Sequence, residues 1–149
     1  MDKSGVAREK VVAVPASRAK TAVSPSDISP VLVMAGADIV TTERTLTAEE
    51  LFTKKLTVQD ILTPGELVKE IRVPKRSGQM HYDKKRVRNA IDFAIVSLAS
   101  CLDVKDNVIQ DARLVFGGVA PVPLRVKHVE EFLKGKAVTE ETADQAAGL

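Results

Sequence analysis

The run IDFAIVSLASCLDVKDNVIQDARLVF, Ile91–Phe116, decides the fold. In its first half Ala94, Val96, Leu98 and Leu102 share one face of an extended chain, interrupted by Ser100. Phe93, Ile95, Ala99 and Cys101 share the other. Apolar or small residues on both faces are the pattern of a strand covered on both sides. Periodicity alone does not separate such a run from a buried helix, but its partner does. Val104-Lys105-Asp106-Asn107 is turn chemistry. After it Val108, Ala112, Leu114 and Phe116 alternate with Asp111 and Arg113. Two such runs joined by a short polar turn predict an antiparallel hairpin, with Leu98 and Phe116 in the core.

Toward the C-terminus, Gly117-Gly118 lets the backbone turn sharply and leaves room for a close neighbour. Pro121 and Pro123 forbid helix until Leu124. Val126, Val129, Phe132 and Leu133 then fall on one helical face, opposite Lys127, Glu130, Glu131 and Lys134. Gly135 stops that helix. Thr139-Glu140-Glu141 opens another, with carboxylates at its positive end, and its pattern still reads as continuing at Leu149. Both helices are expected on one face of the hairpin sheet.

Toward the N-terminus, Thr63-Pro64-Gly65-Glu66 carries conflicting signals. Thr-x-x-Glu with Pro after Thr is a helix start, yet Leu67, Ile71 and Val73 alternate and Pro74 stops a helix. The reading is a turn and then a strand, Leu67–Val73. Lys75–Gln79 reads as a charged loop, and Lys84-Lys85-Arg86-Val87-Arg88 as a basic cluster in a polar loop feeding the hairpin. Upstream, Ser26 or Asp27 can cap a short helix over Ile28–Ala35 that Gly36 ends in a left-handed conformation. Ala37–Thr42 is β-prone, and Thr47-Ala48-Glu49-Glu50 is a capping box. Met1–Val23 reads as a loose arm with a short strand at Val11–Val14. The fold class is α+β: an antiparallel sheet with a long hairpin, covered by C-terminal helices.

Of 149 residues 44% are apolar, enough for a core, but only 3% are aromatic and none is Trp. The net charge of +2 and the scarcity of stacking rings argue against nucleic-acid binding, including by the basic cluster. The single cysteine, Cys101, excludes an internal disulfide and a CxxC zinc site and reads as a small buried hydrophobe. No run approaches the roughly 18 apolar residues of a membrane span, and the N-terminus has no continuous apolar signal core. Cytoplasm is the expectation. His81 and His128 lack partners at metal-ligand spacing, and neither a nucleophile elbow nor a phosphate-binding glycine motif is present. The residues themselves give a small α+β domain without a catalytic signature. The basic cluster reads as a solvated edge or an anion contact, and the glycine pair as a structural corner or a ligand cradle.

Four segments carry a resemblance. Ser24-Pro25-Ser26-Asp27-Ile28-Ser29-Pro30-Val31-Leu32 with Gly36-Ala37 is the first. Pro64-Gly65-Glu66-Leu67-Val68 through Ile71-Arg72-Val73-Pro74 is the second. Tyr82-Asp83-Lys84-Lys85 through Arg88 and Asp92-Phe93-Ala94 is the third, and Phe116–Arg125, with Glu130 to Leu133 and Gly135, is the fourth. In this order they resemble the FAD-binding (medium) subunit of xanthine dehydrogenase- and carbon monoxide dehydrogenase-type molybdenum hydroxylases. The resemblance covers that subunit's C-terminal domain and the end of its flavin domain. It implies residues 1–57 as the remnant of the flavin domain's second lobe with a loose arm, and 58–149 as the C-terminal domain. It implies FAD contacts at Asp27, Leu67, Val68 and Lys84, no catalytic acid or base in this chain, and no metal. The molybdenum cofactor and 2Fe-2S clusters would sit on a large and a small partner subunit.

One departure from the family pattern bears on the cofactor. Where the family has a glycine-rich loop before the first segment, this chain has Pro15-Ala16-Ser17-Arg18-Ala19-Lys20-Thr21-Ala22-Val23, without glycine. The expectation is therefore a truncated or split flavin subunit. Its FAD would be held weakly without a separate flavin-lobe chain, and it would be inactive in isolation. The alternative is a non-catalytic module that docks partner subunits without holding FAD.

Overall fold

A computed structural model describes residues 8–11, 26–53, 62–88 and 92–149. The expected hairpin is its centre. β6 (Val96–Lys105) pairs antiparallel with β7 (Val108–Gly117), from Ser97 opposite Gly117 to Lys105 opposite Val108. The connection is only Asp106-Asn107, at φ 51° and 62°. Positive φ at both central residues is the requirement of a type I′ turn, whose twist matches the strands. Asn and Asp tolerate this conformation better than other side chains. The strands therefore run further into the expected turn than the polar residues suggested.

At its other end the strand starts later than expected. Ile95 N–H bonds the Lys85 carbonyl at 2.9 Å, but beyond Gly117 the partner strand leaves the ladder at Gly118, φ +83°. Phe93 and Ile95 are exposed, at 72% and 57%.

The hairpin is covered on both faces, by different helices. Ser97, Ala99, Cys101 and Val115 are buried on one face, under α1 (Ile28–Ala35). Leu102, Ala112 and Leu114 face Val129 and Leu133 of α3 (Lys127–Leu133). Leu98 and Phe116 are half-buried rather than central: the smaller residues lie under α1, where a helix can come close. At Gly117 a Cβ would stand 2.9 Å from Pro30 Cγ of α1 and 2.5 Å from Ser97 Oγ of β6. The glycine pair is thus a packing corner as well as a turn. α4 (Glu140–Ala147), capped by Thr139 accepting from Thr142 N–H, packs on α3 and ends at Ala147.

Flanking strands complete two four-stranded antiparallel sheets. In one, β5 (Gln79–Lys85) and β8 (Leu124–Arg125) border the hairpin, in the order β5-β6-β7-β8. β5 is the element that sequence reading left as loop. Its charged residues suit an edge strand, where charge discourages further pairing. The other sheet has the order β1-β4-β2-β3, made of β1 (Arg8–Val11), β2 (Asp38–Thr41), β3 (Thr45–Thr47) and β4 (Val68–Pro74). Apart from Val11, the strand expected at Val11–Val14 lies outside the described residues. β4 pairs with β2, so the strand after the Pro64-Gly65 turn is built into the sheet of the preceding segment.

α1 joins the two sheets. Its Leu32, Val33 and Met34 share one buried cluster with Ile39 of β2, with Ala48 and Leu51 beside them, and with Ala99, Cys101 and Val115 of the hairpin. Burying side chains of this size stabilises by roughly 1.5–3 kcal/mol each. Gly36, at φ 70°, closes the helix as expected: Ala37 N–H bonds Leu32 O at 3.0 Å and Gly36 N–H bonds Val33 O at 3.1 Å. α2 (Ala48–Thr53) starts in the expected capping box, Glu50 N–H to Thr47 Oγ1 and Thr47 N–H to Glu50 Oε2, both 3.1 Å. No helix among the described residues is long and apolar enough to cross a membrane.

Candidate functional site

Two residues could cap α1, and only one does. Ser26 Oγ accepts from Ser29 N–H at 3.1 Å, while Asp27 makes no cap bond. Its carboxylate instead meets β5. Along that strand Tyr82 and Lys84 point to the same side, as residues two apart must, and are the half-buried members of an otherwise exposed run. Tyr82 Oη donates to Asp27 Oδ1 at 2.9 Å and Lys84 Nζ to Asp27 Oδ2 at 2.8 Å. The Lys84 bond holds the Asp27 carboxyl below its ordinary value against a desolvation that opposes it, with Tyr82 adding to the lowering. Burial pushes the Tyr82 phenol up, with the Ser97 hydroxyl offsetting part of that. Asp27 remains 49% accessible and Lys84 19%, so a ligand can reach the pair and compete for it.

Two of the four expected site residues, 57 positions apart, are thus in direct contact. The other two lie on the neighbouring sheet. Leu67 is 57% exposed and hung by its backbone on Thr42, with Thr42 N–H to Leu67 O at 2.8 Å and Leu67 N–H to Thr42 Oγ1 at 3.1 Å. Val68 opens β4, half-buried against the cluster that contains Leu32 and Val33. Among the described residues no hydrogen bond links Leu67 or Val68 to Asp27 or Lys84; α1, whose N-cap is Asp27, also touches β4.

Two carboxylates escaped the sequence reading. Glu66, read as part of a turn, is buried at 5%. It accepts from Thr41, Arg44 and the Thr63 N–H, and the Arg44 guanidinium, first among these, holds it down at about 2. The signal was the Thr63-x-x-Glu66 spacing, which forms its side-chain bond without a helix. Glu130, placed by pattern on the polar face of α3, is buried at 3%. It accepts from Leu114 N–H at 2.9 Å and pairs with Arg125 at 2.8 Å. Arg125 also reaches Glu49 of α2 at 3.2 Å, and Lys127 reaches Glu49 at 3.0 Å, tying α2 to β8 and α3. An inward carboxylate here is satisfied by partners that helical periodicity does not reveal.

In the rest of the basic cluster Lys85 ends β5, and Arg86, Val87 and Arg88 lie in the loop after it. Lys85, Arg86 and Arg88 are exposed, and Asp92 accepts from Val87 and Arg88 N–H at 3.2 and 2.8 Å. His81 and His128 are exposed, and the described residues contain no group of three that could hold a metal. A cavity of about 250 Å³ lies between the Pro74–Gly78 loop and Cys101, Asp103 and Asp111. It is at the far end of α1, where Arg76 Nε donates to Ala35 O at 2.8 Å, and none of the four expected residues lines it. Burial pushes the Cys101 thiol up, as expected of a core cysteine.

The donor set at Asp27 fits one end of a flavin. An ammonium can donate to a polar ring edge and an accessible carboxylate can accept from ring N–H or ribityl hydroxyls. Residues 15–23, where a pyrophosphate loop would be expected, lie outside the described residues.

In this two-sheet α+β arrangement the long hairpin lies between α1 and α3. Residues 81–149 match the CO dehydrogenase flavoprotein C-terminal domain family. The chain is 33% identical over 126 residues to the glyceraldehyde dehydrogenase medium chain of Sulfolobus acidocaldarius, covering 82% of this chain and 44% of that one. It is 34% identical over 144 residues to xanthine dehydrogenase of Blastobotrys adeninivorans, covering 89% of this chain and 10% of that one. Quinoline 2-oxidoreductase from Pseudomonas putida 86 shares the fold, with a TM-score of 0.76 at 22% identity over 86% of this chain and 45% of that one. The chain belongs to the medium-subunit flavoprotein family of the xanthine and CO dehydrogenase-type molybdenum hydroxylases. It spans less than half the length of each of these relatives.

Proposed function

We propose that this chain is part of the FAD-bearing subunit of a molybdenum hydroxylase, relaying electrons from iron–sulfur clusters to an acceptor such as NAD. In this reading residues 1–57 are the remnant of the flavin domain's second lobe and 58–149 the C-terminal domain. A large molybdenum-cofactor subunit, a small iron–sulfur subunit and a separate flavin-lobe chain are the partners. The observation that carries it is the Asp27–Lys84 contact of 2.8 Å at the start of α1, still accessible from solvent. FAD, when bound, supplies the electron exchange. The residues of this chain hold and tune it: Lys84 places positive charge at the ring, Asp27 orients Lys84 and accepts from the ligand, and Leu67 and Val68 offer an apolar edge. No residue here acts as a general acid or base.

The glycine-free Pro15–Val23 favours a second reading, a subunit-docking module that holds no FAD. Titration of the isolated chain with FAD, followed by flavin fluorescence, separates the two. Weak, saturable binding that falls in Lys84→Ala supports the flavin reading, and no binding at millimolar FAD supports the docking module. Sub-micromolar binding would overturn the need for a separate flavin lobe.

A further inference from the structure

Glu66 stands one residue before Leu67 and gathers three pieces of chain. Its Oε1 accepts from the Thr41 hydroxyl at 2.6 Å, at the end of β2, and from Arg44 Nε at 3.1 Å, in the turn to β3. Its Oε2 accepts from Thr63 N–H at 2.8 Å and from Arg44 Nη2 at 3.2 Å. Glu66 N–H closes the turn onto the Thr63 carbonyl at 2.9 Å. The turn has little apolar burial to hold it: Thr63, Pro64 and Gly65 are exposed. Directly after it comes the doubly bonded Leu67–Thr42 pair, with the leucine side chain presented to solvent. A fixed backbone under an exposed apolar side chain is what a planar ligand needs as a platform. Fixing it beforehand removes the ordering cost from binding.

This deepens the flavin reading and rests on it. We propose that Glu66 is the positioning residue of the ring platform: it locks Leu67 and Val68 onto Thr41 and Arg44 in the free chain, without touching the flavin. Its partners at Thr41, Arg44 and the Thr63 backbone all donate, so the position requires a carboxylate. Glutamine would turn one acceptor oxygen into an NH₂ facing donors.

The test is an amide NMR titration with FAD of wild type, Glu66→Gln and Glu66→Asp. In wild type the Leu67, Val68 and Lys84 amides should shift saturably. In Glu66→Gln the Leu67 amide should exchange with solvent faster in the free chain, and FAD affinity should fall about tenfold. Glu66→Asp, which keeps the charge, should recover part of that loss. If Glu66→Gln does not fold, Thr41→Val, which removes one donor, should show the same changes at smaller size. Wild-type affinity and Leu67 shifts in every folded variant would overturn the positioning role and leave the flavin reading standing. Shifts at Lys84 but none at Leu67 or Val68 in wild type would do the same. No FAD-dependent shift anywhere would overturn both.

Discussion

Glu66 and Asp27 are both carboxylates held by a basic side chain, and they are held in opposite ways. Glu66 accepts from a hydroxyl, a guanidinium and a backbone N–H, and its side chain is closed to solvent by these partners. Among the described residues Asp27 accepts from Tyr82 and Lys84, and it stays about half accessible. The difference separates structure from availability. A carboxylate saturated by its own chain fixes a backbone, whereas one with few, accessible bonds can exchange a partner for a ligand. Glu66 lies under a thin cover, with Arg44 itself 43% accessible, so solvent screening limits what the pair adds to stability.

The comparison breaks most completely if the element between the two sheets is removed. Met34 of α1 is 2% exposed, and Met34→Ala should cost about 2–5 kcal/mol. Urea unfolding followed at both sheets should show one shared, earlier transition. If only one sheet melts earlier, α1 does not couple the two regions.

A smaller effect distinguishes the carboxylates by acid. The Glu66 carboxyl is held at about 2, below its ordinary 4.5. A lowered value means that the folded state binds fewer protons than the unfolded one. Its contribution is therefore fully present above 4.5 and is lost as pH falls toward 2. Glu66→Gln should flatten the fall in melting temperature across that window. A pH dependence equal to that of wild type would show that Glu66 is not held as described.

Smaller still is the stability effect of Asp27→Asn. An accessible ion pair is worth about 0–1 kcal/mol, so the melting temperature should barely move while FAD affinity falls. A large loss of stability would place Asp27 with Glu66 as a structural carboxylate.

What was legible in the sequence was local. The hairpin, α1 with its Gly36 stop and the Thr47–Glu50 box each depend on residues within a few positions, so pattern and turn chemistry found them. β5 was hidden because an edge strand carries charge where a pattern search expects apolar alternation. The burial of Glu66 depends on Thr41 and Arg44, 25 and 22 positions away, and that of Glu130 on Leu114, 16 away; no local rule sees such partners. Leu98 was expected in the core and is half-buried, because both faces of β6 are covered and size alone does not say which lies under the closer helix. The Asp27–Lys84 contact spans 57 positions and was reached only through resemblance to a family.

In the proposed flavin reading the Lys84 ammonium, oriented by Asp27, faces the ring. The measurement that tests it most directly is the flavin reduction potential of the assembled enzyme with Lys84→Ala in this chain. Loss of a cation beside the ring should lower the potential, because negative charge on the reduced ring would lose its partner. An unchanged potential, with flavin still bound, would contradict the assignment.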